Sequence, residues 1–270
     1  MEANITSLSN PLIKSVRALH KKKDRWKQRK FFVEGVRAVE EAVKSDVKID
    51  SILYTESLFD TFGGQQLFNL INKKGYRLFK ITEKILKTVS DTENPQGIIA
   101  IIEFNLVNLD DIFIKEGNFI IILDKIQDPG NLGTIIRTAD AFGANGIVLT
   151  RGCVDVFNPK TIRSTMGSLF HLPVSYEDSI EKVITKFKEI GIKIIATSLD
   201  AEQFCYDIDL TQDFALIIGN EASGVSKEAI ELSDHKIKIP IEKRTESLNA
   251  AIASGVIMYE TYRQRIALYT

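Results

Sequence analysis

Five short strand-like stretches, mostly apolar and the last an alternating KIKI, pace the second half of the chain, at 119–123, 146–149, 192–196, 214–218 and 236–239, and no other feature limits the fold so strongly. The first, FIIIL, is uninterrupted and β-branched, which suits a strand buried on both faces better than a helix. Between the runs, apolar residues recur at helical spacing and predict helices over 131–142, 161–169, 179–190 and 226–232. Strands alternating with helices predict an α/β domain, a parallel sheet with helices on both faces. In such sheets ligands collect beyond the carboxyl ends of the strands, so the loops there are where chemistry is to be sought.

Three of those loops carry unusual residues. The stretch 124–143 reads DKIQDPGNLGTIIRTADAFG. Its Asp-Pro-Gly-Asn turn leads into a helix expected to start near Asn131 as cap, with Leu132, Ile135, Ile136 and Ala139 on its apolar face. Read alone, Asn131 and Arg137 also fit a plain capping residue and a solvated cation paired with Asp140. The stretch 214–226, FALIIGNEASGVS, leaves a strand through two glycines, where backbone groups can approach a ligand closely. It lacks the GxGxxG fingerprint of a dinucleotide site, and a simple turn leaves Glu221 unexplained. The third stretch, 239–255, reads IPIEKRTESLNAAIASG. A proline ends the strand, Ser247 is expected to cap or nearly cap the next helix, and Leu248, Ala251, Ile252, Gly255, Val256 and Tyr259 form its apolar stripe.

Together, in order and spacing, these stretches resemble the three motifs of the SpoU (TrmH) family of RNA ribose 2′-O-methyltransferases, in the SPOUT superfamily. The resemblance implies a C-terminal deep trefoil knot, a feature no pattern argument would propose. It also implies a homodimer, and S-adenosyl-L-methionine held chiefly by backbone groups at Gly219, Ile239 and Leu248, with Thr197, Ser198 and Asn220 as further contacts. Motif matching puts Asn131, Arg137, Glu221, Ser247 and Asn249 at the catalytic polar positions. Arg137 resembles the residue assigned as base, although a guanidinium better suits orientation or charge stabilisation. Lys160 and Arg163 stand where they could hold RNA phosphates. Two positions depart from the family pattern, Ala222 and Lys243, where glycine is usual.

The first half reads as a smaller α/β domain of 1–105, with strands at 31–35, 52–54, 77–81 and 98–104 and helices after Gly35 and at 65–73 and 83–88. It resembles the ribosomal-protein-like substrate-binding domain that precedes many SpoU domains, the turn Asn94-Pro95-Gln96-Gly97 included. A polar linker is expected at 106–117, and the methyltransferase domain at 118–270. Residues 4–30 read as a basic helical segment, with Leu12, Ile13, Val16 and Leu19 as its apolar stripe. Residues 1–30 hold nine Lys or Arg against two acids, a local balance of +7 in a chain whose net charge is −1. That asymmetry points to a polyanion, and Lys21, Lys22, Lys23, Arg25 and Arg29 are the candidate RNA contacts. Trp26 suits stacking on an unpaired base, whereas Phe31 and Phe32 read as anchors to their own domain.

Cys153 and Cys205 are far apart and the three histidines scattered, so no metal site is expected and a reducing cytoplasm is. Neither a signal core nor a membrane-spanning run is expected. The function these readings support is methylation of ribosomal RNA. The alternatives are a tRNA ribose methyltransferase and a non-catalytic RNA-binding or ribosome-assembly protein of the same fold.

Overall fold

The computed structural model describes residues 3–113, 116–242, 244 and 246–267; the Lys243 departure lies outside them. The chain divides into two compact units. One runs to Asn105 and takes in Phe157–Phe170, and the other comprises Leu106–Val156 and the residues from His171.

The first unit is a five-stranded mixed sheet. Its elements are β1 (Ala3–Ile5), α1 (Pro11–Ala18), α2 (Lys22–Gln28), β2 (Lys30–Glu34), α3 (Val36–Lys44), β3 (Ile49–Tyr54), α4 (Gly64–Lys74), β4 (Leu78–Ile81), α5 (Glu83–Val89) and β5 (Ile98–Glu103). The strand order is β1-β4-β3-β5-β2, with β5 antiparallel to both neighbours. The basic segment is thus not one helix from residue 4. It opens as a strand parallel to β4, and Asn10 then caps α1 through Leu12 N at 2.8 Å, with Pro11 in the first turn. Ile13, Val16 and Leu19 of the expected stripe are buried against α5 and the sheet.

Arg25 corrects the expectation of an RNA contact. It is 2% exposed, and its Nη1 donates to the carbonyls of Leu19 (2.7 Å) and His20 (3.0 Å) at the end of α1. A guanidinium offers five donors, and here they serve carbonyls a helix end leaves unpaired. Trp26 is likewise an anchor, edge-on to Phe104 and Phe157. Phe157 in turn stacks on Phe104 and Phe31.

Among the described residues the second unit holds seven strands, all parallel: β6 (Phe119–Asp124), β7 (Gly146–Thr150), β8 (Val174–Glu177), β9 (Lys193–Thr197), β10 (Gln203–Phe204), β11 (Phe214–Gly219) and β12 (His235–Lys238). Their order is β10-β12-β9-β11-β6-β7-β8. The edge strands β8 and β10 were not expected, being too short or too polar to show as apolar runs. Helices α6 (Pro129–Ala141), α8 (Ile180–Glu189), α9 (Lys227–Leu232) and α10 (Ala250–Ile266) complete it. Ile120, Ile122, Ile194 and Ile217 pack on Val183, Ile184 and Phe187 of α8, and this core also takes in Leu109 and Ile112. Residues 109–112 therefore belong to the second unit's core, and the free linker expected at 106–117 is shorter than the sequence suggested.

Between β7 and β8 the chain visits the first unit, where α7 (Pro159–Thr165) packs on β2. The sequence placed this stretch in the methyltransferase domain as a helix over 161–169. It stops at Thr165 because Met166 adopts a left-handed φ of 51°, and a 3-10 turn follows. Arg163, an expected phosphate contact, is ion-paired with Asp91 within the first unit. Lys160 is exposed.

Candidate active site

β6, β11, β9 and β12 lie side by side with their carboxyl ends at one edge, Asp124 beside Gly219, Ile217 beside Ala196, and Thr197 beside Ile237. The three loops singled out in the sequence therefore leave from neighbouring strand ends. The second and third of them, with the segment that follows β9, enclose a cavity of ≈ 520 Å³ lined by Thr197, Ser198, Gly219, Asn220, Ile239 and Leu248, all six of the expected cofactor contacts. That volume lies within the ~300–1,000 Å³ of small-molecule sites. Asp200, Glu221 and Glu231 line it beside Lys227 and Lys238. An excess of carboxylates with apolar walls fits a cationic sulfonium carrying an adenosine. Asp200 and Glu231 escaped the sequence reading, since a lone acid after a strand or inside a short helix is indistinguishable from a solvated one.

The loops are tied together by side chains far apart in sequence. Glu221 Oε1 accepts from Asn131 Nδ2 at 2.9 Å and from Asp128 N at 3.2 Å, and Oε2 accepts from Gln127 N at 3.2 Å. Asn131 Oδ1 accepts from Asn249 Nδ2 at 2.9 Å. Asn249 Oδ1 accepts from Ala251 N (2.9 Å) and Ile252 N (3.2 Å) and so caps α10. The order of donors is forced. A carboxylate only accepts, so Asn131 must turn its NH₂ to Glu221 and its oxygen to Asn249, which then has its own oxygen left for the helix amides. Burial works to raise the Glu221 pKa, but the bonds from Asn131 and the loop amides outweigh it and hold the carboxyl below its ordinary value.

Two capping expectations change. Asp128, not Asn131, caps α6, accepting from Asn131 N at 2.7 Å, and Pro129 fills the first turn, so the helix begins two residues early and Asn131's side chain is free for the cleft. Asn249, not Ser247, caps α10; Ser247 lines the cavity instead.

The second loop is built around its own backbone. Asn220 bridges to Gly224, and a Cβ on Gly219 would sit 2.1 Å from Gly224 C and Val225 N. Gly219 is thus required by a close approach within the loop, where the sequence suggested one to a ligand. Asn220 Nδ2 donates to Lys125 O at 2.9 Å, and its Oδ1 accepts from Ala222 N and Ser223 N. Ala222 is not among the residues with positive φ, so its methyl is tolerated. Asp124, 1% exposed at the end of β6, accepts from Ser226 N at 2.8 Å and pins the start of α9. Its signal was present as the one acid closing an all-apolar strand.

Arg137 stands exposed on α6, with no hydrogen bond or ion pair among the described residues and outside the cavity lining. The Asp140 partner open to it in the sequence is taken by His171 Nδ1 at 3.0 Å. Among the described residues no group of three or more His, Cys, Asp or Glu is placed to hold a metal ion, and no helix is long and apolar enough to cross a membrane.

The α10 stripe also differs from expectation. Ala251, Ser254, Ile257, Met258 and Thr261 are the buried face, while Ile252, Val256 and Tyr259, with Tyr262, are exposed.

Residues 118–259 match the model of the SpoU rRNA Methylase family, and residues 10–100 that of the MRM3-like substrate binding domain. The chain belongs to the SpoU rRNA methylase family. A Bacillus subtilis relative, 23S rRNA (guanosine(2553)-2'-O)-methyltransferase RlmP, is 35% identical over 94% of this chain and 97% of its own. The 23S rRNA (uridine(2479)-2'-O)-methyltransferase of Streptomyces viridochromogenes is 32% identical over 88% and 84%. The crystal structure of an AdoMet-bound rRNA methyltransferase from Sinorhizobium meliloti superposes with a TM-score of 0.86 at 36% identity, covering 96% of this chain and 97% of that one. As a family member the chain is an RNA methyltransferase, and S-adenosylmethionine is its cofactor.

Proposed function

We propose that the chain methylates a ribose 2′-hydroxyl of ribosomal RNA, as a cytoplasmic homodimer whose C-terminal segment is threaded into a deep trefoil knot. The observation that carries this reading is the path Asn249–Asn131–Glu221, which ties polar residues of all three motifs together and ends on Glu221 in the cavity wall. A scaffold retained only for RNA binding or ribosome assembly would have no need of that path beside a cavity lined by the expected cofactor contacts.

S-adenosylmethionine supplies a sulfonium methyl already activated for displacement, so the protein's work is alignment and charge management. Gly219, Ile239 and Leu248 offer backbone contacts on the cavity wall, with Thr197, Ser198 and Asn220 beside them. Glu221 holds the first loop through Gln127 N, Asp128 N and Asn131, which makes it a positioning residue as much as a catalytic one. Ser247 and Asn249 border the place where the ribose must enter. Arg137, with fixed donors and no acceptor, orients the substrate phosphate and hydroxyl and offsets the negative charge that develops on the oxygen.

Homodimerisation is supported by α10, whose exposed Ile252, Val256, Tyr259 and Tyr262 form an apolar face beside Phe142. A knot is supported by the return of the chain after β12 to the cavity at Ile239, Ile241, Ser247 and Leu248 before α10 packs along α6. Exposed Lys21, Lys22, Lys23, Arg29 and Lys160 remain as phosphate contacts. Purified protein, radiolabelled S-adenosylmethionine and protein-free ribosomal RNA test the reading: digestion is expected to yield one labelled 2′-O-methyl nucleoside. Label in a base, or in tRNA only, would overturn it in favour of another methylation or the tRNA alternative.

A further inference from the structure

The loop that follows β11 is held at its crest by Glu221, but its base is held by a residue of the neighbouring strand. Asp124 ends β6, and the ladder pairs it with Gly219, the end of β11, where the loop begins. Its side chain is 1% exposed, and its Oδ2 accepts from Ser226 N at 2.8 Å, where the loop ends and α9 starts. One residue therefore spans the loop from entrance to exit. Residues 220–225, everything between those two points, line the cavity.

Nothing else around the carboxylate competes for it. Buried Thr150 donates its Oγ1 proton to Leu123 O at 3.1 Å and accepts from Lys125 N at 3.2 Å, and it stands 3.5 Å from Asp124 Oδ1, too far for a good hydrogen bond. Asp124 forms no ion pair among the described residues. Burying an unpaired carboxylate is unfavourable, and an apolar residue would close the otherwise apolar β6 without that cost. What the acid adds is a strong acceptor for one backbone N–H. The loop has other ties, but they lie elsewhere. Asn220 Nδ2 fastens the entrance to Lys125 O, Glu221 fastens the crest to the first loop, and the mutual bonds of Asn220 and Gly224 (3.0 and 2.9 Å) close the loop only on itself. At the exit, Ser226 Oγ is buried with no partner among the described residues, so the N–H held by Asp124 is the anchor.

We propose that Asp124 is a positioning residue for the cofactor: by fixing Ser226 it holds the backbone of residues 219–225 in the shape that S-adenosylmethionine binds. It acts from behind the loop, since it is not part of the cavity lining. The proposal rests on the reading of this cavity as the cofactor site.

The test uses the full chain, with S-adenosylmethionine titrated by calorimetry, methyl transfer to ribosomal RNA and thermal unfolding measured in parallel. Asp124→Ala is expected to weaken cofactor binding about tenfold. KM for the cofactor should rise by the same factor while kcat at saturation stays within about threefold, because Glu221 keeps its bonds to the first loop. Asp124→Asn still presents an acceptor and is expected to bind within about threefold of wild type. Ser226→Pro deletes the donor at a residue whose φ is already −60°. It should cost about tenfold alone and nothing further in Asp124→Ala, as partners in one bond require. Ile120→Val, a buried change elsewhere on β6, should lower the thermal midpoint and leave cofactor affinity unmoved. Wild-type affinity in Asp124→Ala, no advantage of Asp124→Asn over it, or additive losses in the double variant would overturn the proposal. So would an equal loss in Ile120→Val, which would reduce the effect to stability. If Asp124→Ala does not fold, Ser226→Pro measured against Asp124→Asn decides; if neither Asp124→Ala nor Ser226→Pro folds, the bond is a folding requirement and the positioning role falls. A wild-type chain that binds no S-adenosylmethionine would instead remove the reading of the cavity itself.

Discussion

The cleft of the second unit and the basic helices of the first were both conspicuous in the sequence for polar side chains, and folding uses them in opposite ways. In the cleft, Asn131 meets Glu221, 90 residues away, and Asn249, 118 residues away, as donor and acceptor in the one order their chemistry permits. In the helices, nine cations in thirty residues share no geometry. One of them, Arg25, is buried as a helix-end donor, and Lys22 lies 6.0 Å over the ring of Trp26. Spaced residues that need one another carry information through folding. A charge run carries only its sum.

The largest effect expected separates chemistry from assembly within the cleft. Arg137→Ala should lower single-turnover methyl transfer by about 10²–10³-fold, the usual cost of losing one donor at a developing charge, while calorimetry shows cofactor affinity within about twofold, since Arg137 does not line the cavity. Lysine should not rescue it. A parallel loss of cofactor binding would make Arg137 a residue of the cofactor site instead. Gly219→Ala should do the reverse and act first on binding, because its Cβ collides with Gly224 and Val225. A loss of about tenfold or more in cofactor affinity, some 1.4 kcal/mol, is expected by titration, and an unchanged value would mean the loop relaxes freely.

The helices sharpen the contrast. Arg25→Ala should cost about 2–3 kcal/mol in denaturant unfolding, as two carbonyls lose a charged donor, with little change in the salt slope of RNA binding. Lys23→Ala should leave stability alone and lower that slope by about one. The opposite pattern would mean the burial of Arg25 has no energetic weight.

The smallest effect concerns pH. The Glu221 carboxyl is held below its ordinary value of 4.5. Its folded form therefore binds its proton less readily than the unfolded chain does, so its contribution is complete above the ordinary value and is lost as pH falls through the lower folded one. Glu221→Gln should flatten the acid limb of stability below about pH 4.5 and leave the neutral range parallel to wild type. An unchanged acid limb would show that the loop amides do not hold the carboxylate.

Much of this was legible in residues. Buried parallel strands announce themselves as apolar runs, which is why β6, β7, β9 and β11 could be read; β12 showed only as isoleucine alternating with lysine, and the short edges β8 and β10 did not show. Gly219, Asn220, Ile239 and Leu248 of the cavity lining were found through motif order, not periodicity, whereas Asp200 and Glu231 carried no such signal. What stayed hidden depends on distance. The migration of 157–170 into the first unit rests on Phe157 stacking with Phe104 and Phe31, and no local pattern encodes which partner an aromatic will choose. The exposed half of α10 was hidden for a related reason: both faces of that helix are apolar, and periodicity alone cannot say which one is covered.

The central claim is that this cleft methylates ribose in ribosomal RNA. Mapping 2′-O-methylation across the rRNA of cells with and without the gene tests it most directly, with restoration by the wild-type gene and by the Arg137→Ala variant. One ribose is expected to lose its methyl on deletion, to regain it with the wild-type gene, and to stay bare with the variant. An identical ribose-methylation map in the deletion strain would contradict the account.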